Sequence, residues 1–264
     1  MKESLTLKWF ILAVSCTIFG CFCSRQDEMD DMSIKCKEVE WVFVQGGSFQ
    51  MGDTFGDGED RARPDHAVTI SDFYIGKYEV TFNQYDAFCD ATQREKPDDK
   101  GWGRGNRPVI RISWNDANAF CEWMSKRTGQ AIRLPTEAEW EFAAKGGIQS
   151  KGYKYSGSNH VDEVAWLYSN SGMRTQPVGL KKPNELKLYD MSGNMWEWCS
   201  DWYDETYYSN SPERNPEGPS TGVTKTLRGG SWGNGPNHMR CDNRDGSRPG
   251  YKDNSLGFRC VKTE

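Results

Sequence analysis

The sequence predicts an α+β fold, rich in loops and poor in regular secondary structure, on three observations. Helix-start signals are few and lie before residue 147, strand-like runs are short and interrupted by turn residues, and the composition favours glycine and aromatics over aliphatics. With 27 Gly and 11 Trp, an apolar fraction of 36% and a mean hydropathy of -0.81, the core has to come from large aromatic side chains held by many turns.

The amino terminus comes first. Residues 1–8 carry Lys2 and Lys8, residues 9–20 form an apolar run, and Ile18-Phe19-Gly20-Cys21 closes that run on a small residue and a cysteine. A membrane-spanning helix needs about 20 apolar residues, more than this run supplies. The pattern predicts a bacterial lipoprotein-type signal over residues 1–20, with Cys21 as the lipidated first residue after cleavage. Residues 21–38 read as an acidic tether. Residues 39–264 are left for a single domain, which the anchor would hold outside the cytoplasm on a bacterial membrane, at the periplasm or the outer membrane.

Within that domain, Trp41-Val42-Phe43-Val44 and Ser48-Phe49-Gln50-Met51 flank Gly46-Gly47, the pattern of a hairpin. Residues 68–80 alternate in places as one or two strands do. Thr81 caps a helix through Cys89, with Tyr85, Phe88 and Cys89 on one face. Ser113, with Asp116 three positions on, opens a longer helix whose inward stripe is Ala117, Phe120, Cys121 and Met124 and which Gly129 ends. Thr136-Glu137-Ala138-Glu139 is a further capping box, opening a short helix that closes at Gly146-Gly147. Beyond it the chain reads as loops with short strands at residues 225–228 and 256–261.

A net charge of -5 leaves no electrostatic footprint for nucleic acid. Of 9 cysteines, Cys16 belongs to the signal, and outside the cytoplasm the remaining unlipidated ones are expected in disulfides. Spacing alone leaves the pairing open. No CxxC pair supports a zinc site. His66, His160 and His238 are isolated in sequence and take no assigned role.

Several stretches, in order, carry a resemblance: Gly46-Gly47-Ser48-Phe49-Gln50-Met51-Gly52, Glu79-Val80-Thr81 with Tyr85, and Ser113-Trp114-Asn115-Asp116-Ala117. Arg133-Leu134-Pro135-Thr136-Glu137-Ala138-Glu139-Trp140-Glu141, Gly193-Asn194-Met195-Trp196-Glu197-Trp198, Arg228-Gly229-Gly230-Ser231-Trp232 and Leu256-Gly257-Phe258-Arg259-Cys260 continue it. Together they resemble the sulfatase-modifying factor family, the formylglycine-generating enzyme domain. The resemblance implies a C-type-lectin-like variant of the α+β class.

It also implies a calcium site with Asp190 and Glu197 as side-chain ligands and the carbonyls of Gly193 and Met195. The competing reading is a turn in which Glu197 pairs with a nearby arginine. Active relatives oxidise a substrate cysteine through two copper(I)-binding cysteines shortly after Gly-Gly-Ser. Here Asn234 stands at the first position and Asn237 or His238 near the second, with no cysteine between Gly229 and Arg240. Asn and His lack the softness and charge of paired thiolates, so copper is not expected. The family's structural cysteines imply a Cys121–Cys260 disulfide. The family partner of Cys241 falls at Ala144, leaving Cys199 as the replacement partner, while Cys23, Cys36 and Cys89 stay unassigned. Trp196, Ser231 and Arg244 match positions that line the family's peptide groove. The reading that follows is a non-catalytic, calcium-stabilised, lipid-anchored module for protein or peptide binding or assembly. The alternative is a formylglycine-generating oxidoreductase.

Overall fold

A computed structural model describes residues 38–263. The expected signal, lipidated Cys21 and tether lie outside the described residues, as do Cys23 and Cys36.

Three small sheets form the frame. Strands β1 (Trp41–Val44) and β4 (Phe73–Gly76) pair antiparallel, β4 pairs with β10 (Val261–Lys262), and β10 with β5 (Ile132–Arg133). Strands β2 (Gly47–Met51) and β3 (His66–Ile70) form a two-stranded sheet. The third sheet runs β8 (Arg244–Ser247), β7 (Lys225–Arg228), β6 (Trp196–Trp202), β9 (Leu256–Gly257), with β6 and β9 parallel.

The hairpin expected around Gly46-Gly47 is not formed, because β1 and β2 enter different sheets. The reason lies at Gly46, whose N–H donates to Asp72 Oδ1 at 2.7 Å and whose absent Cβ would lie 2.4 Å from the Ile70 carbonyl oxygen. The glycine lets the chain pass closely over the β3–β4 connection. It does not turn the chain back on itself.

The helices follow their caps. Helix α1 (Phe82–Thr92) opens on Thr81, whose hydroxyl accepts from Gln84 N–H while the Gln84 side chain accepts from the Thr81 N–H. Helix α2 (Trp114–Thr128) has the same box between Ser113 and Asp116, ends on Gly129 at φ 71, and buries the expected Ala117, Phe120, Cys121 and Met124. Helix α3 (Glu137–Ala144) is capped by Thr136 and Glu139 and is buried on all sides. A single turn, α4 (Val161–Val164), is the only further α-helix among the described residues.

Helices α1 and α2 pack on the β6 and β9 side of the third sheet. Phe120 meets Phe258 at 5.4 Å and Phe88 at 5.6 Å, both edge-on, and Tyr85 stacks on Phe120 at 5.7 Å. Such pairs contribute about 0.5–1.5 kcal/mol beyond area burial. A second core surrounds α3, with Trp140, Phe142, Met191 and Tyr208. The aromatic core expected from composition is therefore two large clusters beside a smaller one around Tyr155, Leu167 and Met239, with β6 contributing to both large ones: Trp198 to the first and Cys199 to the second.

Candidate functional site

The segment after β7 is shaped by two glycines. Gly229 and Gly230 have φ of 93 and 71, and a Cβ on Gly230 would lie 2.6 Å from the His238 carbonyl oxygen. The pair folds the chain back so that a 3-10 turn, Pro236–Met239, lies against it. Inside this loop the Ser231 N–H and hydroxyl both donate to Asn234 Oδ1, at 3.0 and 2.7 Å. The Asn234 carbonyl accepts from the Tyr168 N–H at 3.0 Å, and the Asn194 carbonyl from the Trp232 N–H at 3.0 Å. Asn234 is thus a structural tie at the place where the resemblance puts a reactive thiol.

Trp196 and Ser231 are both brought to this loop. The Trp196 ring stands edge-on to His238 at 6.1 Å, and His238 Nδ1 is buried without a partner. Arg244 is elsewhere. It is 1% exposed, its Nε and Nη2 donate to the two carboxylate oxygens of Glu137 at 2.7 Å each, and its guanidinium lies 4.1 Å from the centre of the Tyr208 ring. The expectation that Arg244 lines the groove is corrected: a fully desolvated guanidinium held by a carboxylate has no donor free for a ligand.

The acids of α3 form a wider network that the sequence did not show. Arg228, fully buried, pairs with Glu141, and its Nη1 lies 3.4 Å from Glu137. Glu141 also meets Lys145 at 2.7 Å and accepts from the Gly52 N–H at 2.7 Å. Glu139 takes Arg133 in a two-pronged contact at 2.7 Å. The structure buries these glutamates as partners of arginines and a lysine.

Of the four residues expected to bind calcium, Asp190, Gly193 and Met195 sit on the turn leading into β6 and Glu197 is the second residue of that strand. Glu197 is fully buried and its oxygens are already taken: Arg259 Nε and Nη2 donate to them at 2.6 and 2.7 Å, and Trp140 Nε1 at 2.8 Å. The arginine-paired alternative describes Glu197 here. The Gly193 carbonyl accepts from the Met195 N–H at 2.8 Å.

Asp190, at φ 57, accepts the Gly179 N–H on Oδ2 at 2.7 Å, while Oδ1 is buried without a partner. Beside it is Glu79, whose Oε2 accepts from Asn194 Nδ2 at 2.7 Å and whose Oε1 is likewise orphaned. Burial, and then the charges of Asp190 and Glu197, push the Glu79 carboxyl well above the usual carboxylate range. Burial raises Asp190 to about 6 against the pull of the Gly179 N–H. Two buried carboxylates, each with an unsatisfied oxygen, call for a proton or a hard cation between them. Glu79 was quoted for its motif but given no role, since nothing local connects it to Asp190. Among the described residues no three His, Cys, Asp or Glu side chains form a ready metal-ligand set.

Cys121 and Cys260 lie with their sulfurs 3.6 Å apart, both buried. The Cys241 thiol points at the Ala144 carbonyl, 3.6 Å away, so it faces the position where the family partner is missing. Non-reducing peptide mapping of the purified protein is expected to return a Cys121–Cys260 linked peptide. A free thiol at either position would reject that bridge.

Fold and loop together define a scaffold of the formylglycine-generating kind whose reactive loop holds no thiol. The family described as sulfatase-modifying factor enzyme 1-like domain matches residues 28–264, and the chain belongs to it. It is 32% identical to a formylglycine-generating enzyme of Streptomyces coelicolor, over 83% of this chain and 88% of that protein. It is 32% identical to the chaperone protein LppX of Paenibacillus barcinonensis, over 85% of the chain and 88% of that protein. The serine/threonine-protein kinase Pkn1 of Chlamydia trachomatis is 32% identical over 90% of the chain, which spans 41% of that kinase's length. Among solved structures, Treponema denticola variable protein 1 superposes with a TM-score of 0.76 at 29% identity, over 86% of this chain and 96% of that one.

Proposed function

We propose that this chain is a non-catalytic, extracytoplasmic binding or assembly module, lipid-anchored through Cys21, that takes a protein or peptide partner. The observation that carries this reading is Asn234, fixed by Ser231 where copper chemistry would need a thiolate. A relative named as a chaperone over nearly the same length is consistent with a partner-binding role. Affinity purification of the anchored protein from its own membrane tests it. A stoichiometric protein partner is expected, and recovery of free monomer alone would overturn the assembly reading.

Calcium belongs to the same proposal, with a changed ligand set. Asp190 and Glu79 would hold the ion through their orphaned oxygens, with Glu197 retained by Arg259. Bound calcium would supply a hard positive charge that neutralises two buried carboxylates. Added calcium is therefore expected to raise the melting temperature and chelator to lower it, with Asp190→Asn and Glu79→Gln each blunting the response. A melting curve indifferent to both additions rejects the site.

A further inference from the structure

The loop at residues 102–107 and the turn at residues 171–178 meet beside Trp232. The Val178 N–H donates to the Asn106 carbonyl at 3.0 Å, Arg107 Nη1 donates to the Thr175 carbonyl, and the Ser171 hydroxyl donates to the Trp232 carbonyl at 2.9 Å. These ties bring the Arg107 guanidinium to the backbone next to Arg174. Partial burial, and then the charge of Arg174, disfavour the protonated form of Arg107.

No carboxylate relieves this, since among the described residues neither arginine has an ion-pair partner. Several other arginines do have one: Asp86 for Arg104, Glu139 for Arg133, Asp242 for Arg240 and Glu137 for Arg244. The neighbouring Thr175 hydroxyl is also buried without a partner. Alongside lie Trp102 and Trp232, packed edge to face at 5.3 Å and both incompletely buried, with Tyr168 and Met173 64% and 52% exposed. Two uncompensated guanidinium groups next to an aromatic ledge form a receiver for anions that also carry apolar surface, because guanidinium matches carboxylate geometry and aromatic and arginine side chains dominate binding energetics.

We propose that this face binds an acidic peptide segment, its carboxylates received by Arg107 and Arg174 and its apolar parts resting on Trp102 and Trp232. The inference rests on the binding-module reading and names its partner class. A chain of net charge -5 repels acidic ligands over much of its surface, so such a segment is steered to this face. The preference is opposite to that expected for a Cys-x-Pro-x-Arg peptide.

Calorimetric titration of the full chain in detergent tests it. The ligand is a short peptide alternating glutamate with tyrosine, and the control is the same peptide with glutamine. The glutamate peptide is expected to bind at least about tenfold more tightly, a difference of about 1.4 kcal/mol, and to weaken as salt is raised. Arg174 is exposed and makes no side-chain contact that folding needs, so Arg174→Gln is expected to weaken binding about tenfold with an unchanged melting temperature. Arg107→Gln, which also loses the tie to Thr175, is expected to weaken it at least as much. Equal affinity for the two peptides, or wild-type affinity in Arg174→Gln and in the variant combining Arg107→Gln with Arg174→Gln, overturns the proposal. A partner recovered from the membrane by a protein indifferent to the glutamate peptide sinks this inference alone. Peptide binding without a recovered partner sinks the assembly reading alone.

Discussion

Replacing Arg259 with methionine is expected to lower the unfolding free energy by about 3–5 kcal/mol, the cost of leaving one member of a buried ion pair uncompensated. Urea unfolding at constant slope measures it as a shift in midpoint. Arg259 has no exposed surface, bridges Glu197 through two hydrogen bonds, and donates to the Gly76 and Tyr189 carbonyls at 3.0 Å. Glu197 is left beside Glu79 and Asp190, so it loses the one ion-pair partner it has among the described residues. The double variant Arg259→Met with Glu197→Gln should recover part of the loss, since the charge itself is removed. Were Glu197 primarily a calcium ligand, the single variant would be mild in calcium. A loss below about 1 kcal/mol would place Glu197 outside the ion-pair description.

Glu137→Ala is expected to cost a similar amount, again about 3–5 kcal/mol, because it strands Arg244 and weakens the neutralisation of Arg228, both nearly or fully buried. Arg244 also donates to the Arg61 and Asp204 carbonyls, at 3.2 and 3.0 Å, which ties β8 to two surface loops. Combining Glu137→Ala with Arg244→Met should cost less than the sum of the single variants. Strict additivity in that cycle would mean the two side chains do not act as a pair.

How much of this was legible depends on the range of the interaction. The boxes at Thr81/Gln84, Ser113/Asp116 and Thr136/Glu139 are local, and all three helices begin where those residues place them. The stripe on α2 follows from the helical repeat alone. Strand β6 did not announce itself, because Trp-Glu-Trp-Cys-Ser-Asp-Trp carries acids at buried positions. Glu197 is satisfied by Arg259, and Asp201 by the Glu137 N–H at 2.9 Å, with burial and the Glu137 charge raising Asp201 to about 7. Gly46-Gly47 looked like a turn because local sequence cannot distinguish a hairpin from a close crossing.

In the site, the absent thiol could be read at Asn234 through the resemblance, while Trp196 meets His238 and Ser231 ties to Asn234 in that same loop. Arg244 was misplaced, because an arginine in a motif looks the same whether it faces a groove or a buried glutamate. Glu79 and Arg107 were passed over, since their significance comes from what segments far along the chain do or do not supply.

The loop from Arg228 to Cys241 keeps the family's frame and lacks the paired thiolates of its chemistry. Incubating the purified protein with copper(I), oxygen and a Cys-x-Pro-x-Arg peptide, and following the peptide by mass spectrometry, tests this most directly. An unmodified cysteine and no stoichiometric copper are expected. Oxygen-dependent conversion of that cysteine to formylglycine would contradict it.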